Sequence, residues 1–275
     1  MRIAICNELF RGWPIEKVFD YAAQLGYDGV EIAPFTLGDS VTKISPARRK
    51  AIRRAAEKSG VEIVGLHWLL VKPQGLCINH PDAKIRLRTQ EYIEALIHFC
   101  GDLGGKILVH GSPHQRTVQK GWKFDESWER AKETFEGCLE TARKRKVTYC
   151  IEPLTRKDTN FINTVEEASR LVREIRHPNF KTMLDCRSAA AEEKSVTESL
   201  ARGLDSRMIR HVHVNDASGR GPGFGKTQFA PVLKTLIKKG YKGYISVEVF
   251  TFDPDPQTIA SRSIGYLKGI LEAIG

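Results

Sequence analysis

The segment Tyr149-Cys150-Ile151-Glu152 is one of four short strand-like segments, all in the second half of the chain, that carry a potential metal ligand at or near their end. The other three are Thr182-Met183-Leu184-Asp185, His211-Val212-His213-Val214 and Ser246-Val247-Glu248-Val249. These ligands recur about once per β-plus-α unit of roughly thirty-odd residues. If each segment is a parallel strand, three carboxylates and an imidazole meet at one rim of a closed sheet.

Outward from these segments, strand-like and helix-like stretches alternate along the whole chain. Strands are predicted at 2–6, 29–33, 61–70, 106–110, 148–153, 181–185, 210–214 and 244–250. Amphipathic helices are predicted at 15–25, 46–59, 84–103, 126–145, 164–176, 231–239 and 256–273. This alternation is typical of an α/β fold, a single (β/α)8 TIM barrel. A doubly wound open sheet is the competing fold, but no Gly-x-Gly-x-x-Gly motif follows the first strand.

Length and composition agree with a single barrel domain over residues 1–275, since barrels of this size do not split into domains. No segment approaches the roughly 20 apolar residues that span a bilayer, so we expect a cytoplasmic protein without a membrane partner. The six cysteines form no Cys-x-x-Cys pair, which argues against a thiolate zinc site. The net charge of +10 leaves nucleic acid or an anionic substrate open, although scattered Lys and Arg favour solvated helix faces.

The four ligand residues predict one divalent metal ion, because active sites of such barrels lie at the C-terminal ends of the strands. Glu152, Asp185, His213 and Glu248 fall on predicted strands five to eight. Carboxylate oxygens with one imidazole suit Mn²⁺ first, with Mg²⁺, Co²⁺ or Zn²⁺ also compatible. A cation that bridges a ketose carbonyl and hydroxyl stabilises an enediolate, and two carboxylates can exchange the α-proton between faces. We therefore predict Glu152 and Glu248 as the acid/base pair.

The chain resembles the xylose isomerase-like superfamily of sugar phosphate isomerases and epimerases, whose members include ketose 3-epimerases and endonuclease IV. The motifs are Glu152-Pro153-Leu154, Leu184-Asp185, His211-Val212-His213-Val214-Asn215-Asp216, Gly221-Pro222-Gly223-Phe224-Gly225 and Ser246-Val247-Glu248. The resemblance implies a metal-dependent isomerase or epimerase of a small sugar, in which the same quartet binds the metal and the two glutamates transfer protons. It also implies a homo-dimer or homo-tetramer.

Further residues are candidates for substrate binding. They are His67, Trp68, His110, Asp158, Arg187, Asn215, Arg220 and Lys226. The two histidines end predicted strands three and four at the same rim, where they could bind substrate hydroxyls or a second metal. Asp158 stands where the epimerases commonly have a second, longer acid. His211, one residue pair deeper than His213, is predicted to pack in the core.

Two departures from the family pattern separate the alternatives. Ser188 stands where both the epimerases and endonuclease IV have a histidine three residues after the aspartate. The Asp-x-His of the nuclease is also absent from the loop after strand seven, so a trinuclear zinc site and DNA repair become a minor hypothesis. The main alternative is a metal-dependent lyase or dehydratase of a keto-sugar or inositol, which starts with the same proton abstraction. The complete quartet of ligands argues against a third alternative, a non-catalytic binding protein, which would not need it.

Overall fold

The computed structural model of the protein describes residues 1–275 and contains a closed barrel of eight parallel strands in sequential order. The strands are β1 (Arg2–Cys6), β2 (Gly29–Ile32), β3 (Glu62–Leu66), β4 (Ile107–His110), β5 (Thr148–Ile151), β6 (Phe180–Asp185), β7 (Ile209–Val214) and β8 (Tyr244–Val247). The last strand pairs with the first, Arg2 opposite Tyr244, so the sheet has no open edge. The predicted (β/α)8 fold is confirmed.

Nine α-helices surround the barrel. They are α1 (Ile15–Leu25), α2 (Pro46–Ser59), α3 (Ala83–Leu103), α4 (Phe124–Arg145), α5 (Val165–Ile175), α6 (Cys186–Glu192), α7 (Val196–Asp205), α8 (Ala230–Lys238) and α9 (Pro256–Ile274). Helices α6 and α7 were not predicted from the sequence. Both are short, and each starts at a side-chain cap, Asp185 for α6 and Ser195 for α7, that is easily missed in a polar stretch.

Local sequence signals explain most of the helix ends. Ser45 accepts a hydrogen bond from the amide of Arg48 at the start of α2, and Pro46 takes the first helical position. Helices α1 and α2 end at Gly26 and Gly60, which both adopt the left-handed conformation. These exits return the chain to the N-terminal edge of the next strand. The C-terminal strand ends therefore all face the same mouth of the barrel.

The predictions for β3 (61–70) and β8 (244–250) extended furthest beyond the observed strands, because the chain leaves the ladder after Leu66 and Val247. Strand β3 ends at Leu66, and Trp68 follows in the left-handed region with a φ of 52°. Strand β8 ends at Val247, one residue before Glu248. The side chains at the mouth are therefore presented by strand ends and by the first residues of the loops.

The period of two along each strand divides the core into an inner and an outer layer. Val109, Cys150 and Met183 form a buried cluster of their own, whereas Phe135 of α4 packs against Tyr149 on the helix side. Two residues beyond Cys150 and Met183 lie Glu152 and Asp185, which therefore share the inner face at the mouth. No helix in the structure is both long and apolar enough to span a membrane.

Candidate metal centre

Glu152, Asp185, His213 and Glu248 converge at the mouth of the barrel. Each offers one ligand atom, and the four atoms all lie within 4.8 Å of one another. All four side chains are buried, at no more than 3% exposure. Glycine is required beside them, since a Cβ on Gly111 would lie 2.0 Å from Oε2 of Glu152. The predicted quartet is thus brought together in one buried cluster.

His213 faces carboxylates with both ring nitrogens. Its Nδ1 lies 3.0 Å from Oε2 of Glu248 and 3.6 Å from Oε1 of Glu152, and its Nε2 lies 3.2 Å from Oε1 of Glu31. Burial lowers the pKa of this imidazole, but Glu248 and Glu31 raise it well above its ordinary value. The Nδ1 side therefore faces the cluster, while Glu31 fixes the ring from behind.

Glu31 lies on β2 within a fully buried stretch and also contacts His211, at 2.8 Å from Nε2. Burial would raise the pKa of Glu31, but His211 and His213 hold it well below its usual range. His211 is buried as predicted, and it also lies 3.3 Å from the hydroxyl of Ser246. One carboxylate thus orients two histidines of β7.

Asp185 is held by two donors. Its Oδ1 accepts a hydrogen bond of 2.7 Å from the amide of Ser188, and its Oδ2 accepts one of 2.6 Å from Asn215. Asn215 in turn accepts a hydrogen bond from the amide of Arg187. Asn215, predicted to bind substrate, therefore orients a ligand residue with its amide. The Ser188 hydroxyl, where the resemblance implied a histidine, is buried without a hydrogen-bond partner.

The acids of the cluster have opposite pKa shifts. Burial raises the pKa of Glu152 to about 7, with a further increase from Glu248, and burial with the Glu248 charge also raises the pKa of Asp185. Burial would do the same to Glu248, but His213 and His67 lower its pKa well below the usual range. Three carboxylates in one buried volume carry excess negative charge that a divalent cation would neutralise. The donor set fits Mn²⁺, Mg²⁺, Co²⁺ or Zn²⁺.

His67 links the quartet to the first strand. Its Nε2 lies 2.9 Å from Oε2 of Glu8, and its Nδ1 lies 3.3 Å from Oε1 of Glu248. Burial lowers the pKa of His67, but Glu8 and the hydrogen bond with Glu248 raise it to about 10. Trp68 also donates a 3.0 Å hydrogen bond from its indole N–H to Oε1 of Glu248. Both residues therefore contact the Glu248 carboxylate directly, and the substrate binding predicted for them stays a prediction.

His110 points away from the quartet, contrary to the predicted substrate contact. Its Nδ1 lies 2.6 Å from the Tyr149 hydroxyl, and its ring packs against Phe135 of α4. It alternates with Val109, which faces inward, so His110 lies on the helix side of the sheet. Burial and Arg116 lower the pKa of His110 well below its usual value. The structure makes it a core histidine.

The remaining substrate-binding candidates differ in exposure. Asp158 accepts a hydrogen bond of 2.8 Å from Thr155 and pairs with Arg187 at 3.3 Å. Both are half-buried beside the mouth. Arg220 and Lys226 are exposed in the loop after β7. Nothing in the structure connects these two side chains to the quartet.

Sequence reasoning did not identify Glu8 and Glu31 as parts of the site. A usable signal existed for Glu31, because an acid within the apolar segment Gly29-Val30-Glu31-Ile32 requires a buried partner. The partner could not be named, since His211 is far away in sequence. Glu8 follows a buried strand by two residues, a pattern too common to single it out.

A large cavity adjoins the quartet on the side of β1, β2 and β8. It has a volume of about 950 Å³ and includes Glu8 and Trp68 in its wall. Because Trp68 donates to Glu248, the cavity and the quartet share a boundary. The site therefore consists of a buried ligand cluster and an adjacent open volume.

Comparison with known proteins identifies the family. The profile of the family described as xylose isomerase-like TIM barrel matches residues 19–270. A probable ketose 3-epimerase from Synechocystis is 28% identical over 239 residues, covering 86% of this chain and 79% of the relative. A 3-dehydro-D-guloside 4-epimerase from Escherichia coli is 22% identical, covering 98% of this chain and 99% of the relative. The crystal structure of an apo 3-keto-D-glucoside 4-epimerase from E. coli superposes with a TM-score of 0.85 at 21% identity, covering 98% and 99% of the two chains.

Proposed function

The chain belongs to the xylose isomerase-like TIM-barrel family, and from this premise we propose that it is a divalent-metal-dependent isomerase or epimerase of a sugar. The observation that carries the proposal is the convergence of four buried ligand atoms within 4.8 Å at the C-terminal mouth of the barrel. Relatives whose names state a sugar epimerase activity support the substrate class.

Glu152, Asp185, His213 and Glu248 would hold the ion, with Mn²⁺ as the first choice for this donor set. When bound, the cation supplies positive charge that stabilises the negative charge developing on the substrate oxygens as the α-proton leaves. Asn215 and Ser188 keep the Asp185 carboxylate in place, and Glu31 keeps the His213 ring in place. These contacts fix the ligand atoms before substrate arrives.

Glu152 and Glu248 act as the acid/base pair in this proposal. Their environments differ in the manner expected for such roles, since the pKa of Glu152 is raised to about 7 and that of Glu248 is lowered. Glu248, which accepts hydrogen bonds from Trp68 and His67, removes the α-proton as the carboxylate. Glu152, a carboxylate once the ion is bound, takes up a proton from solvent and delivers it from the other side of the reacting carbon.

Solvent-deuterium incorporation tests this function. We expect the Mn²⁺-loaded protein to exchange the α-proton of ketoses or keto-sugars, and Glu152→Gln and Glu248→Gln to abolish that exchange. Glu62→Gln is the matched control, because Glu62 is exposed on β3 and pairs only with Arg2. Exchange without loss of a leaving group supports epimerisation, and release of water or an aglycone supports the lyase alternative. Absence of exchange with every sugar, together with unchanged metal binding in Glu152→Gln, contradicts the proposal.

A further inference from the structure

The cavity beside the quartet is lined by six aromatic side chains. They are Phe10, Trp13, Phe35, Trp68, Phe250 and Phe252. The ring of Trp68 lies 6.2 Å from that of Phe35 and 6.4 Å from that of Phe250, measured between centroids. Its indole N–H simultaneously donates to Glu248. Trp68 therefore stands at the junction between the ligand cluster and the aromatic volume.

Most polar groups in the cavity wall are already hydrogen-bonded within the protein. The Asn7 amide donates to the Thr36 hydroxyl at 2.8 Å and accepts from the amide of Ala33 at 2.7 Å. The Thr36 hydroxyl donates to the Ala33 carbonyl. Hydroxyl groups of a second sugar ring would compete for these groups and leave buried polar atoms without partners.

The same holds on the other sides of the cavity. Glu8 is engaged with His67 at 2.9 Å, Ser45 caps α2, and Arg48 pairs with Glu16. Apart from two exposed cations, Arg11, which lies over the Phe252 ring, and Lys43, the wall offers ring faces and few free donors or acceptors. An apolar planar group matches such a surface better than a polyhydroxylated one.

The size of the cavity indicates a ligand larger than one sugar ring. Pockets of about 300–1,000 Å³ enclose drug-sized ligands, and the 950 Å³ here lies at the upper end of that range. With the reacting sugar carbons near Glu152 and Glu248, the volume beside Trp68 remains for a substituent on the sugar.

We propose that the natural substrate is a sugar that carries an aryl aglycone, with the sugar at the quartet and the aryl ring among Trp13, Phe35 and Trp68. This inference rests on the proposed function for the sugar half only. Trp68 separates the two subsites, and its left-handed backbone, with a φ of 52°, is a strained conformation for a bulky residue held at that junction.

Paired substrates test the inference. Solvent-deuterium exchange is measured with phenyl and methyl 3-keto-β-D-glucosides and with 3-keto-cellobiose, whose second ring is a hydroxyl-rich sugar. We expect KM for the phenyl glycoside to be at least about tenfold lower than for the other two, because only it places an apolar ring in the cavity. Trp13→Ala and, independently, Phe35→Ala should remove the preference. Trp122→Ala, a tryptophan outside the cavity that stacks on His80, should retain it.

A binding measurement keeps this inference separate from the proposed function. Isothermal titration with the unreactive phenyl and methyl β-D-glucosides reports the aryl subsite without any turnover. Preferential phenyl binding without exchange of any substrate contradicts the proposed function and supports the subsite. Exchange with equal KM and equal affinity for the two glycosides overturns the subsite and leaves the function standing. A Trp13→Ala variant that changes oligomeric state but keeps the phenyl preference also overturns it, because the cavity would then be an interface between copies.

Discussion

Buried acids occur on two sides of the barrel mouth, and their pKa values shift in opposite directions. At the ends of β5 and β6, burial raises the pKa of Glu152 and Asp185. On β2, two histidines hold the pKa of Glu31 well below its usual range. The first pair has too little positive charge nearby and is suited to a cation, whereas Glu31 is already neutralised by protein. The difference separates Glu152 and Asp185 from Glu31, while Glu248, whose pKa His213 and His67 lower, lies between the two groups.

The two sides of the barrel mouth also differ in the residues that they contribute. The β5–β8 side supplies the four ligand atoms, and the β1–β3 side supplies Glu8, Glu31 and His67 as supports and the aromatic cavity as a wall. Glu248 lies where the two sides meet, since it contacts His213 as well as His67 and Trp68. We infer that one side carries the chemistry and the other determines geometry and substrate size.

The largest effect is expected from Gly111→Ala, which alters the ligand side without removing a ligand. The added methyl group would lie 2.0 Å from Oε2 of Glu152 and must displace that carboxylate. We expect the exchange rate to fall about 10³-fold, the range associated with a lost acid/base group. Gly265→Ala is the matched control, because its Cβ meets nothing within 4 Å. A Gly111→Ala enzyme with normal exchange would show that the Glu152 position is not critical.

The affinity for Mn²⁺ should depend steeply on pH. Before the ion binds, Glu152 with its pKa of about 7 and His213 with its strongly raised pKa both hold protons at low pH. Binding must release them. Below pH 7 the Glu152 proton is displaced together with the His213 proton, so affinity falls more steeply with decreasing pH there than above pH 7, where Glu152 is already ionised. Titration calorimetry across pH 6–9 measures both slopes, and a pH-independent affinity would contradict the ligand assignment.

The supporting side is tested by Glu31→Gln. The glutamine amide keeps the shape of the carboxylate but loses its charge. Its NH₂ group would face the ring nitrogen of a histidine that also carries a hydrogen, so one hydrogen bond is lost. We expect Mn²⁺ affinity to fall about 10–100-fold, the usual effect of removing the hydrogen-bond partner of a metal-binding histidine. The control is Glu62→Gln on the neighbouring strand. If affinity is retained while the protein loses thermal stability, Glu31 has a folding role only.

The convergence of Glu152, Asp185, His213 and Glu248 was predictable from the sequence, for a physical reason. The barrel fold follows from alternating strands and helices, and a parallel barrel brings every C-terminal strand end to one mouth. Four ligands at repeat spacing therefore converge regardless of side-chain detail. Strand limits failed at β3 and β8, because the end of the ladder depends on pairing with neighbours and not on apolar composition.

The supporting side was less predictable, because its contacts join residues with no fixed spacing. The Glu31 contact with His211 spans 180 residues, and only the closed barrel places β2 opposite β7. His110 was predicted on the wrong face of the sheet, because successive residues of a strand point to opposite faces and an error of one residue exchanges the inner for the outer layer. The aromatic cavity likewise combines loops after β1, β2, β3 and β8, none of which carries a recognisable motif.

The smallest expected effect concerns Asp216, a carboxylate near the ligand side that serves the backbone. Its Oδ1 accepts from the amide and hydroxyl of Ser218, and its Oδ2 accepts from the amide of Thr227. Burial would raise the pKa of Asp216, but these bonds lower it to about 2. The lowered pKa means that these bonds stabilise the folded protein above the unfolded-state pKa of about 3.9, and that this stabilisation is lost as pH falls from there toward 2.

Asp216→Asn should therefore lower the free energy of unfolding by about 1 kcal/mol at pH 7, with the difference from the unmodified protein shrinking below pH 4 in denaturant titrations. Unchanged Mn²⁺ affinity in this variant would show that Asp216 serves the loop backbone and does not bind the ion, whereas weakened affinity would place Asp216 with the quartet.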